Sequence, residues 1–236
     1  MKKVLLICED KINNRLAGPA QRYLELCQTL NAKYDTTLLA DFAPEFIPPV
    51  GVKILREPIF KRYNLGFKVS LPNTKIYKEL KNYDVVIAQG GELHASGLLN
   101  KIHQPLVIDL YCPWFFEDMQ TVHNKKKKTF NNNVLEPILT MLKYGDFFIC
   151  ANEKQRDFYL ALLLHSRRIT PTIYSQDPTL RNLIDIVPSG LPANPAQHSK
   201  NVLKGVLPGI KQSDKIVLWF GGLWDWLSPE SVVTAM

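Results

Sequence analysis

The sequence predicts an α/β fold: a parallel β-sheet with helices on both faces. Three observations carry this. Mostly apolar segments of five or six residues, the length of a buried strand, recur seven times along 236 residues. Helical stretches separate most of them, and strands alternating with helices read as βαβ units around a sheet buried on both sides. Glycines or helix-capping residues follow several runs, at the carboxyl edge where such sheets bind ligands.

The elements follow in order. Val4–Cys8 is the first strand; Glu9 and Asp10 end its apolar run, which is too short for the core of a signal peptide. A polar loop leads to Gly18-Pro19, where helical periodicity begins with Tyr23, Leu24, Leu26, Cys27 and Leu30. Thr36–Ala40 and Gly51–Leu55 are the second and third strands. A helix over Thr74–Leu80 precedes the fourth, Asp84–Ala88, which ends at Gln89-Gly90-Gly91; a helix over Glu92–Leu99 follows. Pro105–Leu110 is the fifth strand and contains Asp109. A helix over Phe130–Lys143 leads to the sixth, Asp146–Cys150. Asn152 then stands where an N-cap is needed for a helix over Glu153–Leu164. Leu183–Val187 is the seventh strand, closed by Pro188-Ser189-Gly190.

Beyond this point the pattern changes. Residues 188–213 carry Pro188, Pro192, Pro195 and Pro208 with few aromatics, the composition of an interdomain linker. The run Ile216 to Phe220 then has strand length, Gly221 and Gly222 follow, and Ser228-Pro229-Glu230 opens a helix with Pro where a missing N–H costs nothing. Strand, glycine turn and helix start form the first third of a Rossmann-like nucleotide-binding unit. The expected organisation is a Rossmann-like domain over 1–187, a linker over 188–213, and the truncated start of a second, nucleotide-binding domain over 214–236. That last piece is too small to bury a core of its own.

Bulk properties narrow the function classes. The chain is 46% hydrophobic and 22% charged, ordinary for a globular protein. Its net charge of +7 favours an anionic partner, whether a phosphate-bearing substrate, a membrane surface or nucleic acid. Cys8, Cys27, Cys112 and Cys150 form no CxxC pair and read as small core residues in a reducing compartment. No apolar stretch approaches the ~20 residues of a membrane span, so a cytoplasmic chain is expected. There is no GxxxxGK[ST] loop, no GxGxxG after the first strand, no HExxH and no Asp-x-Asp. A P-loop enzyme, a dehydrogenase and a metal–diphosphate site are thereby disfavoured.

One loop has positive content. Gly18-Pro19-Ala20-Gln21-Arg22 lies where a helix starts beside the sheet's carboxyl edge. A glycine there lets backbone N–H groups approach an anion, and the helix N-terminus adds about half a positive charge. Arg22, one turn in, offers a fork of donors. The bland alternative is a loop glycine and a solvated arginine.

Four blocks resemble family 4 of the GT-B glycosyltransferases, in a bacterial subgroup. Gly18-Pro19-x-x-Arg22-x-x-Glu25-Leu26 is similar to its first-loop motif. Gly145 to Phe158 resembles a second block, Val187-Pro188-Ser189-Gly190-Leu191-Pro192 the linker, and Phe220 to Pro229 the first strand and loop of the donor domain. Asp109-Leu110-Tyr111-Cys112-Pro113 fits the subgroup's fifth-strand loop more loosely. The resemblance implies two Rossmann-like domains facing a cleft, the first binding the acceptor and the second a nucleotide-sugar, with retention of anomeric configuration and no metal. By position it implies His94 and Asp109 as catalytic, His94 close to the transferred sugar; a helix-surface histidine is the alternative. It implies Gly18, Arg22, Gly221 and Gly222 at the donor phosphates, and Gly90, Gly91, Trp224 and Asp225 at the acceptor. Leu223, Trp224 and Asp225 stand where many relatives carry cationic phosphate ligands, and Trp224 and Trp226 serve either the site or packing.

Pro113-Trp114-Phe115-Phe116 and Lys125–Lys128 lie close in sequence. Aromatics beside a basic run suit an anionic bilayer; buried aromatics and a solvated lysine loop are the alternative. Two readings therefore stand. One is the N-terminal part of a retaining, nucleotide-sugar-dependent glycosyltransferase of cell-surface or envelope polysaccharide synthesis. Its partners would be a nucleotide-sugar, a glycan or lipid-linked acceptor and a peripheral contact at the inner face of the membrane. No cofactor beyond the donor substrate and no nucleic acid is expected. The other is a stand-alone Rossmann-like module that binds an anionic ligand or partner without catalysis.

Overall fold

The apolar run that begins at Val4 is the centre of the sheet. In the computed structural model, which describes residues 1–64, 68–113, 115–117, 119, 135–191, 197–219, 221–224 and 227–236, the elements run in chain order. They are β1 (Lys3–Ile7), α1 (Gly18–Leu30), β2 (Asp35–Ala40), β3 (Lys53–Arg56), β4 (Phe60–Asn64), β5 (Lys68–Pro72) and α2 (Thr74–Glu79). Next come β6 (Val85–Ala88), α3 (Glu92–Ala95), β7 (Leu106–Asp109), α4 (Glu136–Tyr144), β8 (Phe147–Cys150) and α5 (Glu153–His165). The last are α6 (Pro171–Gln176), β9 (Ile184–Ile186) and α7 (Pro229–Thr234).

Seven strands form one sheet in the order β3-β2-β1-β6-β7-β8-β9, and every pairing in it is parallel. These are the seven runs the sequence predicts. From β1 the chain builds outward through β2 to β3, then returns to set β6 on the other flank of β1, with Val4 opposite Val85. The switch in direction opens a crevice above the carboxyl ends of β1 and β6.

Alternation along β1 explains the layers. Leu5 and Ile7 pack with Ile76 of α2, Leu93 of α3, Met141 of α4 and Leu163 of α5. Val4, Leu6 and Cys8 point the other way, onto Ala20, Tyr23, Leu24 and Cys27 of α1, which recur at helical spacing. Both faces are thus covered, as a Rossmann-like parallel sheet requires. Asn152 caps α5 as expected, its side chain accepting from the Gln155 N–H at 3.0 Å.

Several elements differ from expectation. β4 and β5 form a separate antiparallel hairpin; their mixture of Lys, Arg, Ser and Asn hides the period of a strand. The helix expected over Glu92–Leu99 stops at Ala95, because Gly97 adopts φ 69, and a 3-10 turn follows over Leu98–Lys101. The short α6, capped by Thr170, carries no buried residue and so no apolar period to read. The helix expected over Phe130–Lys143 runs from Glu136 to Tyr144 among the described residues.

The run from Ile216 is not a buried strand. Residues 216–219 adopt no strand conformation, and Val217 and Leu218 are 61% and 63% exposed. None of the described strands pairs with them, so their backbone groups have no ladder to join. α7 does start at Pro229, as Ser228-Pro229 predicts. Trp114, Lys125–Lys128, Pro192, Pro195, Phe220, Asp225 and Trp226 lie outside the described residues. Phe115 is buried and Phe116 exposed. All four cysteines are free, Cys112 half-buried and the others buried. Among the described residues no helix is long and apolar enough to cross a membrane.

Candidate functional site

A cavity of about 570 Å³ occupies the crevice between β1 and β6. Three loops build it. Glu9 and Asp10 follow β1, Gly90 and Gly91 follow β6, and Asp109 and Cys112 come from the end of β7. His94 on α3 forms part of the wall, half-buried. Pro19, the second residue of α1, lies on the lining beside Gly18.

Glu9 and Gly90 are fitted to one another. The Leu93 N–H donates to Glu9 Oε1 at 3.0 Å, so the carboxyl closes the start of α3. Gly90 has φ +94, and a Cβ there would stand 1.9 Å from Glu9 Oε2. Only glycine satisfies both the backbone and the contact. Burial pushes the Glu9 carboxyl up from 4.5 to about 8; the Leu93 N–H pulls the other way, and the Glu92 and Asp10 carboxylates add to the rise. In the sequence Glu9 is only the residue that ends an apolar run. The signal that could have found it is its place, first past the central strand and level with a glycine pair after the neighbouring one.

Asp109 lines the same cavity from the α1 side of the sheet and is 4% exposed. Arg22 grips it with Nε to Oδ2 at 2.7 Å and Nη2 to Oδ1 at 3.2 Å. The third guanidinium nitrogen, Nη1, donates to the Pro188 carbonyl at 3.1 Å, and the plane lies 4.9 Å from the Tyr111 ring centroid. The Tyr111 N–H adds a donor to Asp109 Oδ1 at 3.1 Å. Burial pushes the Asp109 carboxyl up, against the pull of Arg22; three donors aimed at its oxygens fit the ionised form. Arg22 is therefore neither an open fork of donors nor a solvated arginine. It is 3% exposed and committed to Asp109.

Gly18 opens α1 at the rim, and a Cβ there would meet the Tyr111 hydroxyl at 2.9 Å. The Cys112 thiol donates to Glu117 Oε1 at 3.2 Å and is pushed up to about 12 by burial and by Glu117, far from a reactive thiolate. His94, Asp109, Gly90 and Gly91 are therefore brought together, with Gly18 beside them. Gly221, Gly222 and Trp224 are not among the described lining residues; they sit in an exposed loop where Trp219 Nε1 donates to the Gly222 carbonyl at 3.2 Å. Asp225 lies outside the described residues.

The cavity's charge opposes that of the chain. Against a net +7, its described ionisable lining is acidic except for His94. Cations lie in a separate concavity instead. Lys11 and Arg15, with Asn13 and Asn14, line about 370 Å³ between the loop after β1 and Ala43, Pro44 and Glu45 of the loop after β2. Among the described residues no group of three or more His, Cys, Asp or Glu is arranged to hold a metal. The fold and the cavity define a Rossmann-like α/β protein with a cavity at its topological switch point. No protein-family model matches the chain, and no curated protein matches it significantly.

Proposed function

We propose that this chain is the acceptor-side part of a retaining, nucleotide-sugar-dependent glycosyltransferase, acting in cell-surface or envelope polysaccharide synthesis. The observation that carries the reading is the cavity at the switch point, with His94 on its wall and the glycine-led start of α1 at its rim. An acceptor held in the cavity would lie along the Gly90-Gly91 loop, where the Glu9 carboxyl is already seated on Gly90. His94 would face the transferred sugar. Asp109 is a positioning group: it fixes Arg22, and through it the seat of α1 on the sheet. With Arg22 so committed, the donor phosphates are left to the helix N-terminus at Gly18 and to Lys11 and Arg15. Gly221 and Gly222 belong, on this reading, to a donor domain that completes the cleft.

Phe116 and Phe158, 50% and 37% exposed with ring centroids 5.6 Å apart, support a peripheral contact at the inner face of the membrane. The second reading is a stand-alone module that binds an anionic ligand without catalysis. A transfer assay separates the two. Labelled nucleotide-sugars and lipid-linked acceptors are offered to the chain continued through a donor domain. Transfer lowered by Gly18→Val, with the fold intact, supports the enzyme; unchanged transfer removes Gly18 from the site.

A further inference from the structure

We propose that Glu9 is a further ligand-binding residue of the cavity, and that the group it takes is an uncharged or amine-bearing sugar ring rather than a phosphate or carboxylate. This rests on the reading of the cavity as an acceptor site and narrows the acceptor to a chemical class.

Glu9 projects from the end of the central strand and its carboxyl is held from two sides, by the Leu93 N–H at 3.0 Å and by the bare backbone of Gly90. A side chain so fixed meets a ligand with little ordering left to do. A carboxyl offers about four acceptor positions, and a donor when protonated. The backbone N–H groups of Glu92 and Leu93 use only part of that capacity.

The surroundings then select the ligand. Asp10, Glu92 and Glu117 share the lining with Glu9; the charge of Asp109 is balanced by Arg22, whose three nitrogens donate to Asp109 and the Pro188 carbonyl. An anion entering among these carboxyls is repelled, more strongly than in water because the walls are poorly polarisable. Sugar hydroxyls both donate and accept, and they match carboxyl and imidazole groups without leaving either unpaired. The raised Glu9 carboxyl, at about 8, offers an O–H at neutral pH, while a ring ammonium would draw it back to carboxylate. The fully buried Tyr23 hydroxyl, within reach of the fields of Asp109 and Glu9 and without a hydrogen-bond partner among the described residues, is a further polar atom in this region.

The test is saturation-transfer NMR on the 236-residue chain. The probes are methyl α-glucopyranoside, its 2-amino analogue and glucose 1-phosphate. Saturation should reach the first two and not the third. Glu9→Ala should weaken both by about tenfold. Glu9→Gln, whose amide oxygen still accepts from Leu93, should keep the neutral glycoside and lose any preference for the amino sugar. Circular dichroism checks the folds; were Glu9→Ala unfolded, the Glu9→Gln preference alone decides. Equal saturation of glucose 1-phosphate, no saturation of either glycoside, or binding indifferent to both variants overturns the inference. Its failure is separable from that of the enzyme reading. Sugar transfer that ignores Glu9 defeats only the former; Glu9-dependent probe binding with no nucleotide-sugar consumed defeats only the latter.

Discussion

Arg22 and Asp109 are 87 residues apart in the chain and form the buried ion pair of the site. Removing one partner strands the other, so Arg22→Met should cost about 3–5 kcal/mol in urea unfolding. Adding Asp109→Leu to it should recover much of that loss; additive losses would mean that the pair is not the source. Residue identity alone showed a charged side chain near a helix start, but its partner is set by the β7 loop, which no local pattern links to α1. Glu9 was equally hidden, for its environment comes from a loop more than eighty residues away. Its titration makes a second prediction. The folded carboxyl is raised to about 8 from 4.5, so its contribution is full below 4.5 and is lost as pH rises to about 8. Between about pH 5 and about pH 8, the thermal midpoint of Glu9→Gln should fall less than that of the parent chain. Parallel falls would show that Glu9 titrates normally.

At the scale of elements, strands were legible where they are buried on both faces. Val4–Cys8 is a continuous apolar run and Asp84–Ala88 is one after its first residue, and the two pair as neighbours within the sheet. The hairpin β4–β5 lies outside this sheet, and its charged residues carry no such signal. Helix ends were legible where a cap is chemical. Asn152 accepts the Gln155 N–H, and Asn152→Ala should lower stability by about 1 kcal/mol in urea unfolding. No change would mean that another group satisfies α5. Gly97 ended α3 early because a left-handed residue inside an apolar period leaves no mark beyond the glycine itself. The run at 216–219 shows the reverse failure: its composition suits a strand, but a strand exists only with a neighbour. Its amides should exchange with solvent as fast as those of a free peptide in hydrogen-exchange measurements. Protection comparable with β1 would show a partner that the sheet order does not include.

At the scale of the whole molecule, sheet order places the site. β6 returns to the flank of β1, so loops far apart in sequence meet above two adjacent strands. Gly90, Gly91, His94 and Asp109 were expected at strand ends and they meet there. The acidity of the cavity was not legible, because net charge averages over a surface whose cations lie elsewhere. On the proposed reading Gly18 and His94 supply one side of a cleft, and a donor is enclosed only with the facing side in place. The most direct measurement is sugar transfer from a nucleotide-sugar panel to lipid-linked acceptors, by this chain joined to a donor domain, with and without His94→Ala. The account predicts transfer with retained anomeric configuration, reduced at least about tenfold by the substitution. Undiminished transfer by His94→Ala, or none from any donor, would contradict it.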